Sequence, residues 1–182
     1  MNDQKHKVTL VTGGSRSGKS SHALMLAEAF ERKTFLATAQ ALDDEMRFRI
    51  ENHQRERGNA FQTAEEPLEI AKAIELLGNH SDVIVVDCLT VWLGNLNYLL
   101  LSEEDREQRI EDFIEVLKSP PCQMVIVTNE IGMGIVPETK ETRLFRDNAG
   151  FLNQQVAEVC DRVILMVSGI PVTIKPSHEV SK

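Results

Sequence analysis

Val8-Thr9-Leu10-Val11-Thr12-Gly13-Gly14-Ser15-Arg16-Ser17-Gly18-Lys19-Ser20 is the stretch from which the fold is read. Residues 8–12 form an apolar run suited to a buried parallel strand. Residues 20–32 have helical spacing, with Ala23, Leu24, Ala27 and Phe30 on the inward side. The turn between them carries the Gly-x-x-x-x-Gly-Lys-Ser spacing of a phosphate-binding P-loop. Gly13 and Gly18 let the backbone curl so that the N–H groups of Gly14, Ser15, Arg16 and Ser17 point at phosphate oxygens. The helix behind adds its free N–H groups and the positive end of its dipole. Lys19 then reaches the β- and γ-phosphates, and the Ser20 hydroxyl suits Mg²⁺. An ordinary Gly/Ser turn explains the glycines but not the spacing together with its flanks.

Composition sets the frame. The chain has 182 residues, enough for one domain with a sizeable core, and we expect a single nucleotide-binding domain over 1–182 with frayed ends at 1–6 and 176–182. A net charge of -8 argues against a nucleic-acid surface, which is usually basic. No apolar run is long enough to span a bilayer, and the polar residues 1–7 do not read as a secretory signal. Cys88, Cys122 and Cys160 are odd in number, widely spaced and set among apolar residues. They fit buried thiols in a reducing cytoplasm better than a disulfide or zinc framework, and a cytoplasmic protein is expected.

Further strands are expected at 33–37, 61–64, 83–87, 124–128, 162–167 and 172–175. Helices are expected at 42–57, 67–77, 89–101, 102–118 and 140–159, the last interrupted near 148–150. Pro67 suits the first turn of its helix, and Ser102 with Glu103, Glu104 and Asp105 is an N-terminal cap with first-turn acids. The run 89–101 is apolar nearly all round, so it belongs in a core or at a subunit contact. Alternating strands and helices predict an α/β fold: a mainly parallel sheet with helices on both faces and ligands beyond the carboxyl ends of its strands.

Three constellations bear on chemistry. Asp87 closes an apolar strand downstream of the P-loop, where a Walker-B carboxylate orients magnesium; an aspartate ending a strand is otherwise a turn former. His53 lies among Arg49, Arg55 and Arg57 on a charged segment. Such a histidine is commonly solvent-facing, yet neutral imidazole is a competent nucleophile and the arginines can hold the phosphates it attacks. Asn129-Glu130-Ile131-Gly132-Met133-Gly134 follows a core strand and reads equally as a structural loop or as a site loop.

The ordered set Val11–Ser20, Ala37-Thr38-Ala39, Asp43-Asp44-Glu45-Met46, Arg49-Ile50-x-x-His53, Thr128 to Pro137, Phe145-Arg146-Asp147-x-Ala149-Gly150-x-x-Asn153-Gln154 and Val167-Ser168-Gly169-Ile170-Pro171 is more specific than a P-loop. It resembles the bifunctional adenosylcobinamide kinase / adenosylcobinamide-phosphate guanylyltransferase family of cobalamin biosynthesis, over nearly the whole chain. The resemblance implies a RecA-like P-loop NTPase fold and two activities. Adenosylcobinamide is phosphorylated by ATP or GTP, and its phosphate then receives GMP from GTP to give adenosylcobinamide-GDP. It implies that His53 carries the GMP. It also implies nucleotide contacts at Ala37, Thr38, Ala39, Gln54, Arg55, Glu56, Arg57, Glu65 and Asp87, with Mg²⁺ at Ser20 and Asp87. Members are expected to assemble as homo-oligomers, trimers in particular, with 89–101 as part of the contact. Two other readings use the same P-loop: a plain small-molecule kinase without a covalent intermediate, and a nucleotide switch or ATPase module for a protein partner. No basic or large apolar patch stands out in the sequence to favour the module.

Overall fold

The computed structural model describes residues 8–40, 48, 60–100 and 102–176. The order is β1 (Val8–Gly13), α1 (Lys19–Ala27), β2 (Lys33–Ala37), β3 (Gln62–Glu65), α2 (Ile70–Gly78), β4 (Val83–Asp87), α3 (Leu89–Leu99), α4 (Glu103–Lys118), β5 (Gln123–Val127), α5 (Lys140–Val159), β6 (Arg162–Val167) and β7 (Ile170–Lys175). All seven strands form one sheet in the order β3-β2-β4-β5-β1-β6-β7. Every pairing is parallel except β6 with β7.

The central strands β1, β4 and β5 are near-continuous apolar runs because both of their faces are covered. On one face Leu10, Ile84, Val86 and Ile126 pack with Trp92, Phe113, Leu117, Leu152 and Val156 from the helices. Trp92 meets Phe113 edge-on at 5.3 Å, and its indole N–H donates to Leu68 O. On the other face Val11, Val85, Val125 and Ile164 pack with Ala23 and Ala27 of α1. The parallel sheet with helices on both faces is therefore present, and the three cysteines are free and buried. Burial pushes the Cys88 and Cys160 thiols up to about 12 and Cys122 up to about 11.

Several boundaries differ from expectation, each for a local reason. α1 stops at Ala27 rather than 32 because Arg32 is recruited to the start of β4. Its N–H donates to Asp82 Oδ2, and its carbonyl accepts from Asp82 and Val83 N–H. α2 begins at Ile70, leaving Pro67 outside. Glu66 Oε1 accepts the N–H groups of Leu68 and Glu69, occupying the chain just before the helix. α5 runs without interruption, because Ala149, Leu152 and Val156 present one continuous core stripe. The final strand begins two residues early, at Ile170. Ser168 (φ 51) and Gly169 (φ 83) make a tight two-residue hairpin turn from β6. In α3 the residues Leu89, Trp92, Leu93 and Leu96 are buried within this chain, leaving Tyr98 and Leu99 exposed for any contact. The Ser102 cap forms, its hydroxyl accepting from Asp105 N–H at 3.0 Å. The helix expected at 42–57 and the frayed ends lie outside the described residues, apart from Phe48 and Pro176.

Candidate active site

Parallel strands deliver their following loops to one edge, and the register fixes who meets whom. Ala37 at the end of β2 pairs with Glu65 of β3 and with Asp87 of β4. Asp87 pairs with Val127, as Val11 does from the other side. Asp87 is thus one strand removed from β1, about 10 Å across the sheet from the strand that feeds the P-loop. The P-loop residues, Ala37, Thr38, Ala39, Glu65 and Asp87 all gather at this edge.

The loop itself has the geometry that phosphate binding requires. Gly13 has φ 146, and a β-carbon there would meet Met166 O at 2.5 Å. Gly18 has φ 94 at the N-cap of α1, and Arg16 between them has φ 56. Gly14, Ser15 and Arg16 are exposed at the mouth, while Ser17 and Lys19 are buried. Lys19 folds back to donate from Nζ to Gly14 O at 2.6 Å. Burial lowers its pKa, and the negative charges of the Cys88 thiolate form and of Asp87 act in the opposite sense. Among the described residues, Thr12 Oγ1 and Ser17 Oγ are buried without a partner, a polar floor not satisfied by the chain itself.

A second layer holds this edge rigid. Thr38 Oγ1 accepts from Cys88 N–H and donates to Cys88 O, both at 2.9 Å, clamping the ends of β2 and β4 together. Asn95 Nδ2 donates to Thr38 O and Pro67 O. The loop after β5 is bound still more closely. Glu130 N–H donates to Gly13 O at 3.0 Å, and Asn129 N–H donates to Thr90 Oγ1 at 2.9 Å. Thr128 Oγ1 donates to Asn153 Oδ1, and Asn153 Nδ2 donates back to Asn129 O. On the opposite flank Gly169 N–H donates to Ser17 O at 3.0 Å. Thr90, Asn95 and Asn153 did not stand out as supports in the sequence. Their signal is a polar residue inside an apolar helical run, as Asn95 is in Leu93-Gly94-Asn95-Leu96.

His53, Gln54, Arg55, Glu56 and Arg57 lie outside the described residues. The described histidine nearest the P-loop in sequence, His22, is half-buried and held below its usual pKa by burial and by Arg162. Among the described residues no group of three or more metal-ligating side chains occurs. Ser20 and Asp87, the two residues expected to hold Mg²⁺, offer hard oxygen donors of the kind that ion takes.

A family model described as cobinamide kinase / cobinamide phosphate guanyltransferase matches residues 9–174. The chain belongs to this family. Relatives cover it almost end to end. The bifunctional adenosylcobalamin biosynthesis protein CobU of Salmonella typhimurium is 43% identical, and that of Escherichia coli K12 is 39% identical. Both alignments span 91% of this chain and 98% of the relative. The corresponding protein CobP of Pseudomonas aeruginosa is 40% identical over 91% of this chain and 96% of its own. The solved structures carry the fold alone. A KaiC-like protein of Pyrococcus horikoshii superposes with a TM-score of 0.52 at 13% identity, covering 87% of this chain and 70% of that one. A type III secretion ATPase superposes at 0.57 and 8% identity, covering 92% and 56%. A mostly parallel sheet with a P-loop after its first strand and helices on both faces is the P-loop NTPase fold. The family is one of two activities, a kinase and a guanylyltransferase of cobalamin biosynthesis, which is the function expected from the sequence. Among the described residues no helix is long and apolar enough to cross a membrane.

Proposed function

We propose that this chain carries out both transfers on adenosylcobinamide from one P-loop, using His53 as the carrier of GMP. The observation that supports it most is the P-loop edge, with Lys19 buried against Gly14 O and Asp87 ending a strand one removed from β1, inside a family defined by the two reactions. In the first transfer the hydroxyl of adenosylcobinamide forms a bond to the γ-phosphorus of ATP or GTP. The bond to the β-phosphate oxygen breaks, and the nucleoside diphosphate leaves. In the second, a His53 ring nitrogen attacks the α-phosphorus of GTP and expels pyrophosphate. The phosphate of adenosylcobinamide phosphate then takes the GMP, freeing the imidazole and yielding adenosylcobinamide-GDP.

Gly13, Gly14, Ser15, Arg16, Ser17 and Gly18 cradle the phosphates through backbone N–H groups, and Lys19 leaves Gly14 O to pair with the β- and γ-oxygens. Ala37, Thr38, Ala39, Glu65 and Asp87 are the further nucleotide contacts at the same sheet edge. The hydroxyl of Thr38 stays committed to Cys88, so its part is to hold shape. Gln54, Arg55, Glu56 and Arg57 flank the carrier histidine. Ser20 and Asp87 would hold Mg²⁺, which when bound neutralises charge on the phosphate oxygens.

We also read the protein as a cytoplasmic homo-oligomer, a trimer, without nucleic-acid partners. Its exposed β7 residues Ile170, Val172 and Ile174 support an interface between copies. Supplying adenosylcobinamide and GTP to the parent is expected to give adenosylcobinamide-GDP and pyrophosphate, whereas His53→Ala is expected to stop at adenosylcobinamide phosphate. Full conversion by His53→Ala overturns the histidine assignment. Failure of the parent to consume adenosylcobinamide while hydrolysing nucleotide favours the ATPase-module reading instead.

A further inference from the structure

The loop after β5 is built as carefully as the P-loop, yet it presents the opposite chemistry. Met133, Ile135 and Val136 are 79, 95 and 62% exposed. Both ends of the loop are fastened. On the β5 side, Glu130 N–H is bonded to Gly13 O, and Glu130 Oε1 accepts from Gly132 N–H at 2.7 Å. On the α5 side, Arg143 NH1 donates to Pro137 O at 3.0 Å and Glu138 O at 2.6 Å. The chain between these anchors holds three large aliphatic side chains in water, where each exposes area that favours burial. Gly134, between Met133 and Ile135, has open space where a β-carbon would stand. Met133 is three residues beyond Glu130, so its backbone is held within about 10 Å of the P-loop anchor.

We propose that this tip is the platform for the acceptor: Met133, Ile135 and Val136 take an apolar face of the corrinoid macrocycle, leaving its hydroxyl-bearing arm to reach the nucleotide. The proposal rests on the function proposed above, which supplies the acceptor. The P-loop donors are directed at phosphates and give the methyl-bearing ring of a corrinoid nothing to bind. The neighbouring loop supplies the missing surface, and it is fastened to the first glycine of the P-loop itself. Methionine at the tip suits a ligand with uneven faces, because its thioether adapts to shape. The proposal also accounts for apolar exposure that the sequence did not reveal.

The test uses the full chain with Met133→Ser/Ile135→Ser, and with Ile135→Ser alone, which removes no buried side chain. Adenosylcobinamide affinity is measured by equilibrium dialysis, GTP affinity by calorimetry, and mass in solution by sedimentation. For the double variant we expect at least tenfold weaker adenosylcobinamide binding, about 1.4 kcal/mol. The single variant should fall between it and the parent, with GTP affinity within twofold and the sedimenting mass unchanged. Adenosylcobinamide binding equal to the parent's overturns the proposal. So does a drop in sedimenting mass, which would assign the tip to a contact between copies. A parent that binds GTP but no adenosylcobinamide overturns the function reading itself, and is told apart by the parent measurement alone.

Discussion

Two glycine-rich loops leave neighbouring strands of the same sheet, and they have been given opposite surfaces. The P-loop after β1 curls through positive φ at Gly13, Arg16 and Gly18 and buries Lys19 against Gly14 O. The loop after β5 turns Met133, Ile135 and Val136 outward. They are joined at their bases by the hydrogen bond from Glu130 to Gly13. The strand scaffold fixes where a loop begins, and side-chain chemistry decides which half of a reaction it receives. One loop suits an anionic donor, the other the apolar part of an acceptor. A transfer enzyme needs the two held at fixed separation, since positioning is most of what phosphoryl transfer asks of a protein.

The comparison breaks most visibly at Lys19. Lys19→Met should lower kcat/KM for both transfers by roughly 10²–10³, the scale expected when one charge-stabilising donor is lost. The fold should survive, because the ammonium is already paying for its burial. Loss confined to one of the two reactions would mean that they do not share the loop. The same variant sharpens the electrostatics. Burial holds the Lys19 pKa below 10.5 in the folded chain. Between that lowered value and 10.5 the unfolded chain binds the extra proton, so stability rises with pH across this window. Nucleotide affinity should fall across the same window, because phosphate binding needs the charged form. Both slopes should be missing in Lys19→Met, as read by chemical denaturation and calorimetry.

A smaller effect is expected at the support of the second loop. Asn153→Ala leaves the Thr128 hydroxyl without its acceptor and Asn129 O without its donor. That should cost about 1–3 kcal/mol. In a chain of this size it lowers Tm by about 2–4 °C per kcal/mol. Activity should fall through the KM for adenosylcobinamide more than through the KM for GTP. A change confined to GTP would sever the link drawn between this loop and the acceptor.

The P-loop and the central strands were legible because their constraints are local. Val83–Asp87 is a continuous apolar run ending at a carboxylate, and the P-loop needs particular residues at fixed spacing. What escaped were features set by distant partners. The early end of α1 depends on Asp82, fifty residues away, capturing Arg32. The Thr38–Cys88 clamp joins two strand ends that no local pattern relates. The break expected at 148–150 followed from Asn148 and Gly150, yet Ala149 in the core stripe outweighed their weak helix propensity. The apolar tip at 133–136 was read as a loop, but whether its side chains were covered depended on tertiary packing.

The account as a whole turns on whether GTP leaves its nucleotide on the protein. Intact-protein mass spectrometry after incubation with GTP and Mg²⁺ measures this directly. The parent is expected to gain the mass of one GMP in an acid-labile linkage, and His53→Ala is expected to gain none. A parent that turns over adenosylcobinamide with no such adduct, or a His53→Ala chain that carries as much GMP as the parent, would contradict it.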